Sequence, residues 1–234
     1  MNTKEFITKY FEETNEIMRD IDKGEIEKSV DILFEAWKTG KTVFTLGNGG
    51  SASTASHFAA DLAKTVVNPS SEKEISSVQG FKTLCLNDNP ANMTAWINDC
   101  GWDKVYAGQL NTLLEEGDII LILSVHGGSG WSGNIVRAME TAKAKKAKII
   151  GLAGFDGGML KKMADACMVV PKDSTPHTEG FHSVLQHLII FRLKELVEAY
   201  QKNQSLIQLQ EIQKNSPESI KPKIQQLINE FNLK

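Results

Sequence analysis

The longest apolar run in the sequence, Ile119 to Leu123, is far too short to span a bilayer. The N-terminus has no cationic stretch followed by an apolar core, so no membrane contact is expected and the protein is read as cytoplasmic. Cysteine is scarce. Cys85, Cys100 and Cys167 are odd in number and lack metal-ligand spacing. Two of them fall in segments that read as buried strands, and all three are expected as reduced core thiols. There is no block of Lys or Arg either: 26 basic and 29 acidic residues are interspersed for a net charge of -3. Nucleic acid is therefore not the expected partner, although a small anion can still bind locally. The sequence contains no repeats.

What is present reads as one α/β domain with an appendage. The 234 residues suffice to bury a substantial core. In the first forty residues Phe6, Tyr10, Phe11, Ile17, Ile21, Val30, Leu33, Phe34 and Trp37 recur mostly at spacings of three and four, which predicts two amphipathic helices. The pattern then changes to short β-rich runs alternating with helical stretches: Thr42 to Leu46, Phe81 to Leu86, Ile119 to Ser124, Lys148 to Leu152 and Cys167 to Val170. Strands separated by helices imply a doubly wound, five-stranded parallel sheet. The polar stretch Val67 to Gly80 is expected to be a mobile loop. A long helix is expected from Thr178 to Tyr200, followed by two short amphipathic helices around Pro217 and Pro222. The domain is thus placed at residues 1–200 and a C-terminal helical extension at 201–234.

Two strand ends look suited to an anion. Thr42 to Leu46 runs into Gly47-Asn48-Gly49-Gly50-Ser51, and Ile119 to Leu123 runs into Ser124-Val125-His126-Gly127-Gly128-Ser129. Glycines at a strand-to-helix turn let backbone N–H groups approach an anion, and the helix dipole adds to the attraction. Either loop alone is weak, because Gly/Ser-rich turns end many strands. Gly47, Gly49 and Ala52 also fit the dinucleotide pattern, but that pattern needs an acidic strand-end residue about 20 positions on. Asp88, the first candidate, lies about twice that far away. No Gly-Lys-Ser/Thr follows the first loop, so a Walker site is excluded too.

All five histidines, His57, His126, His177, His182 and His187, lie in or beside these segments. His57 and Asp61 are four apart on the helix after the first loop, so their side chains share a face, as metal ligands or a base and its orienter would. Glu179 stands three before His182 and eight before His187 on the late helix. A single histidine is usually a surface or satisfied core residue. Imidazoles and carboxylates on two helices, beside two candidate anion loops, point instead to proton transfer next to a carbonyl, with a mixed N/O set suited to zinc and open to manganese or iron as well.

Jointly these segments resemble the SIS-domain phosphoheptose isomerases, which interconvert sedoheptulose 7-phosphate and D-glycero-D-manno-heptose 7-phosphate. The resemblance rests on Gly47-Asn48-Gly49-Gly50-Ser51 leading to His57-Phe58-Ala59-Ala60-Asp61-Leu62, on Asn98-Asp99-Cys100-Gly101, on Gly154-Phe155-Asp156-Gly157-Gly158, on Val170-Pro171 and on the helix from Glu179 to His187. It implies a flavodoxin-like sheet, a homotetramer and a divalent metal, zinc first. It places substrate contacts at Asn48, Gly49, Gly50 and Ser51, at Asn87 and Asp88 for sugar hydroxyls, at Ser124, Val125, His126 and Ser129 for phosphate, and at Glu179. It places metal ligands at His57, Asp61, Glu179 and His187, with Asp61 and His187 as the proton-transferring pair and His182 as a helix neighbour.

Three departures from the family accompany this. Asp61 stands where the family has Glu, one methylene shorter, and Glu179 stands where it has Gln, so the division of labour between the two carboxylates is open. Hydroxyl residues of the phosphate loop are replaced by Val125 and His126, where an imidazolium would compensate for a lost hydroxyl. Gly130-Trp131-Ser132-Gly133 reads as part of an insertion. Two rival readings remain beside an isomerase: a non-catalytic SIS module that senses a sugar phosphate or binds a protein, and a nicotinamide dehydrogenase. A carboxylate at Asp61 beside His57 argues for catalysis.

Overall fold

The computed structural model describes residues 1–66, 79–130 and 132–232. Most of the stretch Val67 to Gly80, and Trp131, lie outside them. Two N-terminal helices, α1 (Thr3–Asp20) and α2 (Lys23–Lys38), precede the first strand as expected. Asn2 and Asp22 cap them, their side chains accepting N–H bonds from the first turns.

The sheet follows: β1 (Thr42–Gly47), α3 (Gly50–Ala60), β2 (Lys82–Cys85), α4 (Pro90–Cys100), α5 (Val105–Leu113), β3 (Ile119–Ser124), α6 (Gly133–Ala144), β4 (Lys148–Ala153), α7 (Gly158–Met163) and β5 (Ala166–Val169). All pairings are parallel, and the strand order is β2-β1-β3-β4-β5. β3 is central and wholly buried, which is why Ile-Ile-Leu-Ile-Leu is unbroken by polar residues. Phe44, Leu46, Ile120, Ile122 and Ile149 join a core cluster with Val105, Leu110, Ile135 and Met139 of α5 and α6. The alternate residue Thr45 faces the other way and donates its hydroxyl to Ala55 O on α3 at 2.8 Å. Helices therefore cover both faces, the doubly wound arrangement expected.

The chain order turns back between β1 and β3, which are neighbours with Gly47 opposite Leu123. In such sheets ligands bind beyond the carboxyl ends of the strands at this switch point. Both candidate anion loops start there.

The last helices differ from expectation. α8 runs from Thr175 to Asn215, well past Tyr200, and α9 spans Lys221–Asn232. Pro222 sits in the first turn of α9, where its missing N–H is harmless. The chain divides into two units, Met1–Leu193 and Lys194–Lys234, with the division inside α8. Among the described residues no helix is long and apolar enough to cross a membrane.

Candidate active site

The first loop is held from every side by amides. Gly49 begins α3 with φ of 57°, a left-handed conformation that glycine adopts freely. Behind it, Asn87 accepts Gly47 N–H at 3.2 Å and donates to Gly47 O at 3.0 Å and to the Tyr106 hydroxyl at 2.9 Å. That hydroxyl faces Gly47 O and, at 3.0 Å, Asn48 Oδ1. Asn48 and Asn134 exchange carboxamide bonds, Asn48 donating at 3.0 Å and Asn134 at 2.9 Å. Asn134 is fully buried. Burial pushes the Tyr106 phenol up to about 12, against the opposing bond from Asn87.

This network changes what two expected substrate contacts have available. The carboxamides of Asn48 and Asn87 are engaged within the protein, so Asn48 offers the cavity backbone and edge rather than a free amide. Asp88 is exposed and donates its N–H to Cys85 O at 3.3 Å. A cavity of about 120 Å³ is lined by Asn48, Ser51, Ser124, Val125, His126 and Ser132, with Glu179 closing one side. Ser129 lines instead an adjoining cavity of about 440 Å³ with Phe155, Asp156 and Asp173, and His126 borders both. The His126 and Phe155 rings lie 4.3 Å apart, and Phe155 holds a φ of 53°, unusual for a bulky residue.

The imidazole and carboxylate set forms where α3 widens into a π-helical turn, Asp61–Thr65, with Val66 N–H bonded to Asp61 O at 3.2 Å. Such turns recur at functional sites. Asp61 Oδ2 lies 3.3 Å from His57 Nε2 and 4.0 Å from His187 Nε2. Gln186 donates to the same oxygen at 3.0 Å, and Thr65 donates to Oδ1 at 2.8 Å. His187 Nδ1 lies 3.0 Å from Ser183 O. A proton on Nδ1 then leaves the Nε2 lone pair facing Asp61, the tautomer a metal ligand needs. One ligand atom each from His57, Asp61 and His187 lie within 4.8 Å of one another, so the residues fit a divalent ion.

Glu179, expected as a fourth ligand, is not in that group. Its carboxylate stands over Gly50, where a Cβ would come within 2.7 Å of Oε1 and would push the carboxylate aside. His182 is nearly fully buried with neither ring nitrogen hydrogen-bonded. Burial pushes its imidazole down to about 4, and the Ala153 carbonyl only partly offsets this. His177 lies elsewhere, stacked on Tyr10 at 4.0 Å. Tyr106, Asn134, Thr65 and Gln186 carry the site but are not singled out by sequence. An aromatic or amide on an apolar helix face reads as core, although Gln186 preceding His187 on a buried face was a usable signal.

A family model for the SIS domain matches residues 9–154. A phosphoheptose isomerase from Nitratiruptor sp. is 37% identical over 164 residues, covering 70% of this chain and 82% of that protein. The lincomycin biosynthesis protein LmbN from Streptomyces lincolnensis is 36% identical over 184 residues, covering 76% of this chain; the chain spans only 64% of that relative. Among solved structures, a phosphoheptose isomerase from Francisella tularensis superposes with a TM-score of 0.72 at 26% identity, covering 83% of this chain and 100% of the other. The chain belongs to the SIS-domain phosphoheptose isomerases, a family of isomerase enzymes.

Proposed function

We propose that the chain is a metal-dependent aldose–ketose isomerase acting on a phosphorylated sugar, with sedoheptulose 7-phosphate and D-glycero-D-manno-heptose 7-phosphate as the interconverted pair. The observation that carries this is the pairing, in one unit, of a His57/Asp61/His187 donor set with a cavity at the β1/β3 switch point. The phosphoryl group falls to the strand-end residues Ser124, Val125 and His126, with Ser129 at the rim, and to the backbone of Gly49, Gly50 and Ser51. Two imidazoles and one carboxylate suit zinc with an open position. When bound, such an ion polarises a carbonyl and stabilises charge developing on oxygen. Proton transfer falls to a carboxylate, with His187 completing the set.

A homotetramer is part of the proposal. Phe6, Ile7, Phe11 and Met18 on α1, and Val184, Leu188 and Phe191 on α8, are exposed apolar residues whose extent supports association. Light scattering after size exclusion tests the assembly.

The function is tested with purified protein, added zinc and sedoheptulose 7-phosphate, following the aldoheptose phosphate by NMR beside shorter ketose phosphates. Turnover of the heptulose that stops with a chelator and returns with zinc is expected. Binding without turnover of any sugar phosphate would transfer the chain to the sensor class.

A further inference from the structure

Gln186, on α8, is fully buried and donates its side-chain N–H to Asp61 Oδ2 at 3.0 Å. An ionised carboxylate only accepts, so the amide has to present its nitrogen there. That choice turns Gln186 Oε1 into the interior, where it is buried with no hydrogen-bond partner among the described residues. An orphaned buried carbonyl opposes folding, and an apolar side chain of the same length would avoid it. Stability therefore does not account for a glutamine at this position.

Its placement points to the donor set instead. The oxygen that Gln186 bonds is the one facing both imidazoles, 3.3 Å from His57 Nε2 and 4.0 Å from His187 Nε2. Thr65 donates to the other oxygen at 2.8 Å. Thr65 belongs to the same helical turn as Asp61, whereas Gln186 reaches the carboxylate from α8, next in sequence to His187. Successive residues of α8 thus bring a ring nitrogen to the set and a donor to the carboxylate of the facing segment. Hydrogen bonds of this kind fix how a ligand is turned toward an ion.

We propose that Gln186 is a positioning residue, which orients the Asp61 carboxylate so that Oδ2 keeps a lone pair directed toward the His57 and His187 ring nitrogens. The proposal rests on the divalent-metal reading of that set given above. It is independent of which group moves the proton and of which sugar phosphate is bound.

The test is metal affinity, read for zinc by competition with a chromophoric chelator and for cobalt(II) from the visible spectrum of the loaded protein, beside urea denaturation of the metal-free protein. Gln186→Met keeps the length of the side chain without a donor. It should bind zinc about 10–100-fold more weakly and shift the cobalt bands. Its metal-free denaturation midpoint should move little, because the lost bond and the removed orphan carbonyl oppose each other. In an Asp61→Ala background the same substitution should change cobalt affinity less than about twofold, since Gln186 acts through that carboxylate. Gln186→Leu repeats the measurement if the methionine variant folds poorly. Zinc affinity of Gln186→Met within about threefold of wild type, or an equal loss of cobalt affinity in the Asp61→Ala background, overturns the proposal and leaves Gln186 a structural residue. Failure of the wild type to bind either zinc or cobalt would instead remove the metal reading, and this inference with it.

Discussion

The two strand-end loops sit side by side at the switch point and are built on opposite principles. The loop after β1 is stapled by Asn87, Tyr106, Asn48 and Asn134, whose polar atoms satisfy one another and the backbone of Gly47. None of these groups changes charge near neutral pH, since the only acid among them is pushed up to about 12. The loop after β3 has three glycines at positive φ, Gly127, Gly128 and Gly130, and borders both cavities through His126. Gly154 N–H bonds Val125 O at 3.0 Å, and His182 lies buried near the carbonyl of the preceding residue, Ala153. One loop is a frame. The other is a mouth bordering both cavities and held by backbone bonds, Leu160 N–H donating to Gly127 O at 2.8 Å.

The largest effect expected from this comparison comes from breaking the frame. Asn134→Ala removes the acceptor for Asn48 Nδ2 and the donor to Asn48 Oδ1 in a fully buried position. Asn48 is half-buried and keeps only the Tyr106 hydroxyl on Oδ1, so losing both bonds costs about 1–3 kcal/mol; the denaturation midpoint should fall and turnover with it. Because Asn48 and Asn134 bond mutually, a double-mutant cycle of their alanine variants should show coupling above about 0.5 kcal/mol. Additive effects would mean that the loop is held by something else.

The second expectation concerns acid. His182 has its folded value lowered to about 4 against 6.5 in the free side chain, because burial disfavours the charged ring. Between those values the unfolded chain binds the extra proton, so stability rises with pH through this window. The contribution is complete above about pH 6.5 and declines as pH falls, to a loss of roughly 3 kcal/mol by pH 4. Urea unfolding of wild type and His182→Leu at pH 7 and pH 5 separates this from other titrations. The leucine variant should lose less stability on acidification, whatever its stability at pH 7. Equal acid sensitivity of the two proteins would show that His182 is not the group responsible.

Sequence alone revealed the sheet because its strands are apolar runs closed by Gly-rich loops, and the switch point followed from their alternation with helices. The far end of α8 was not legible: Gln201 to Asn215 has no strong breaker before Ser216-Pro217, and the helix continues until it meets one. Within the site, His57 and Asp61 were readable from their spacing of four on one helix, whereas His187 came only through family resemblance. The Tyr106 and Asn134 contacts depend on which helix crosses which strand end, information that no local pattern contains. The ligand role of Glu179 likewise came only through the resemblance, while the fold turns Glu179 toward Gly50 and the cavity.

The smallest effect on stability, and the sharpest on selectivity, should come from the mouth. His126 is half-buried, stacks obliquely on Phe155 at 4.3 Å and separates the two cavities. Replacing it with serine removes no core packing and should change stability by less than about 0.5 kcal/mol. The ring contributes binding before the chemical step as much as during it, so KM for the sugar phosphate should rise up to about tenfold while kcat stays nearly constant. Merging the two cavities should also lessen discrimination between ketose phosphates of different chain length. Steady-state constants for several chain lengths, measured on wild type and His126→Ser, check both points. A fall in kcat at unchanged KM would place His126 in the chemical step, and the contrast between a rigid frame and a selective mouth would have to be redrawn with catalysis shared by both loops.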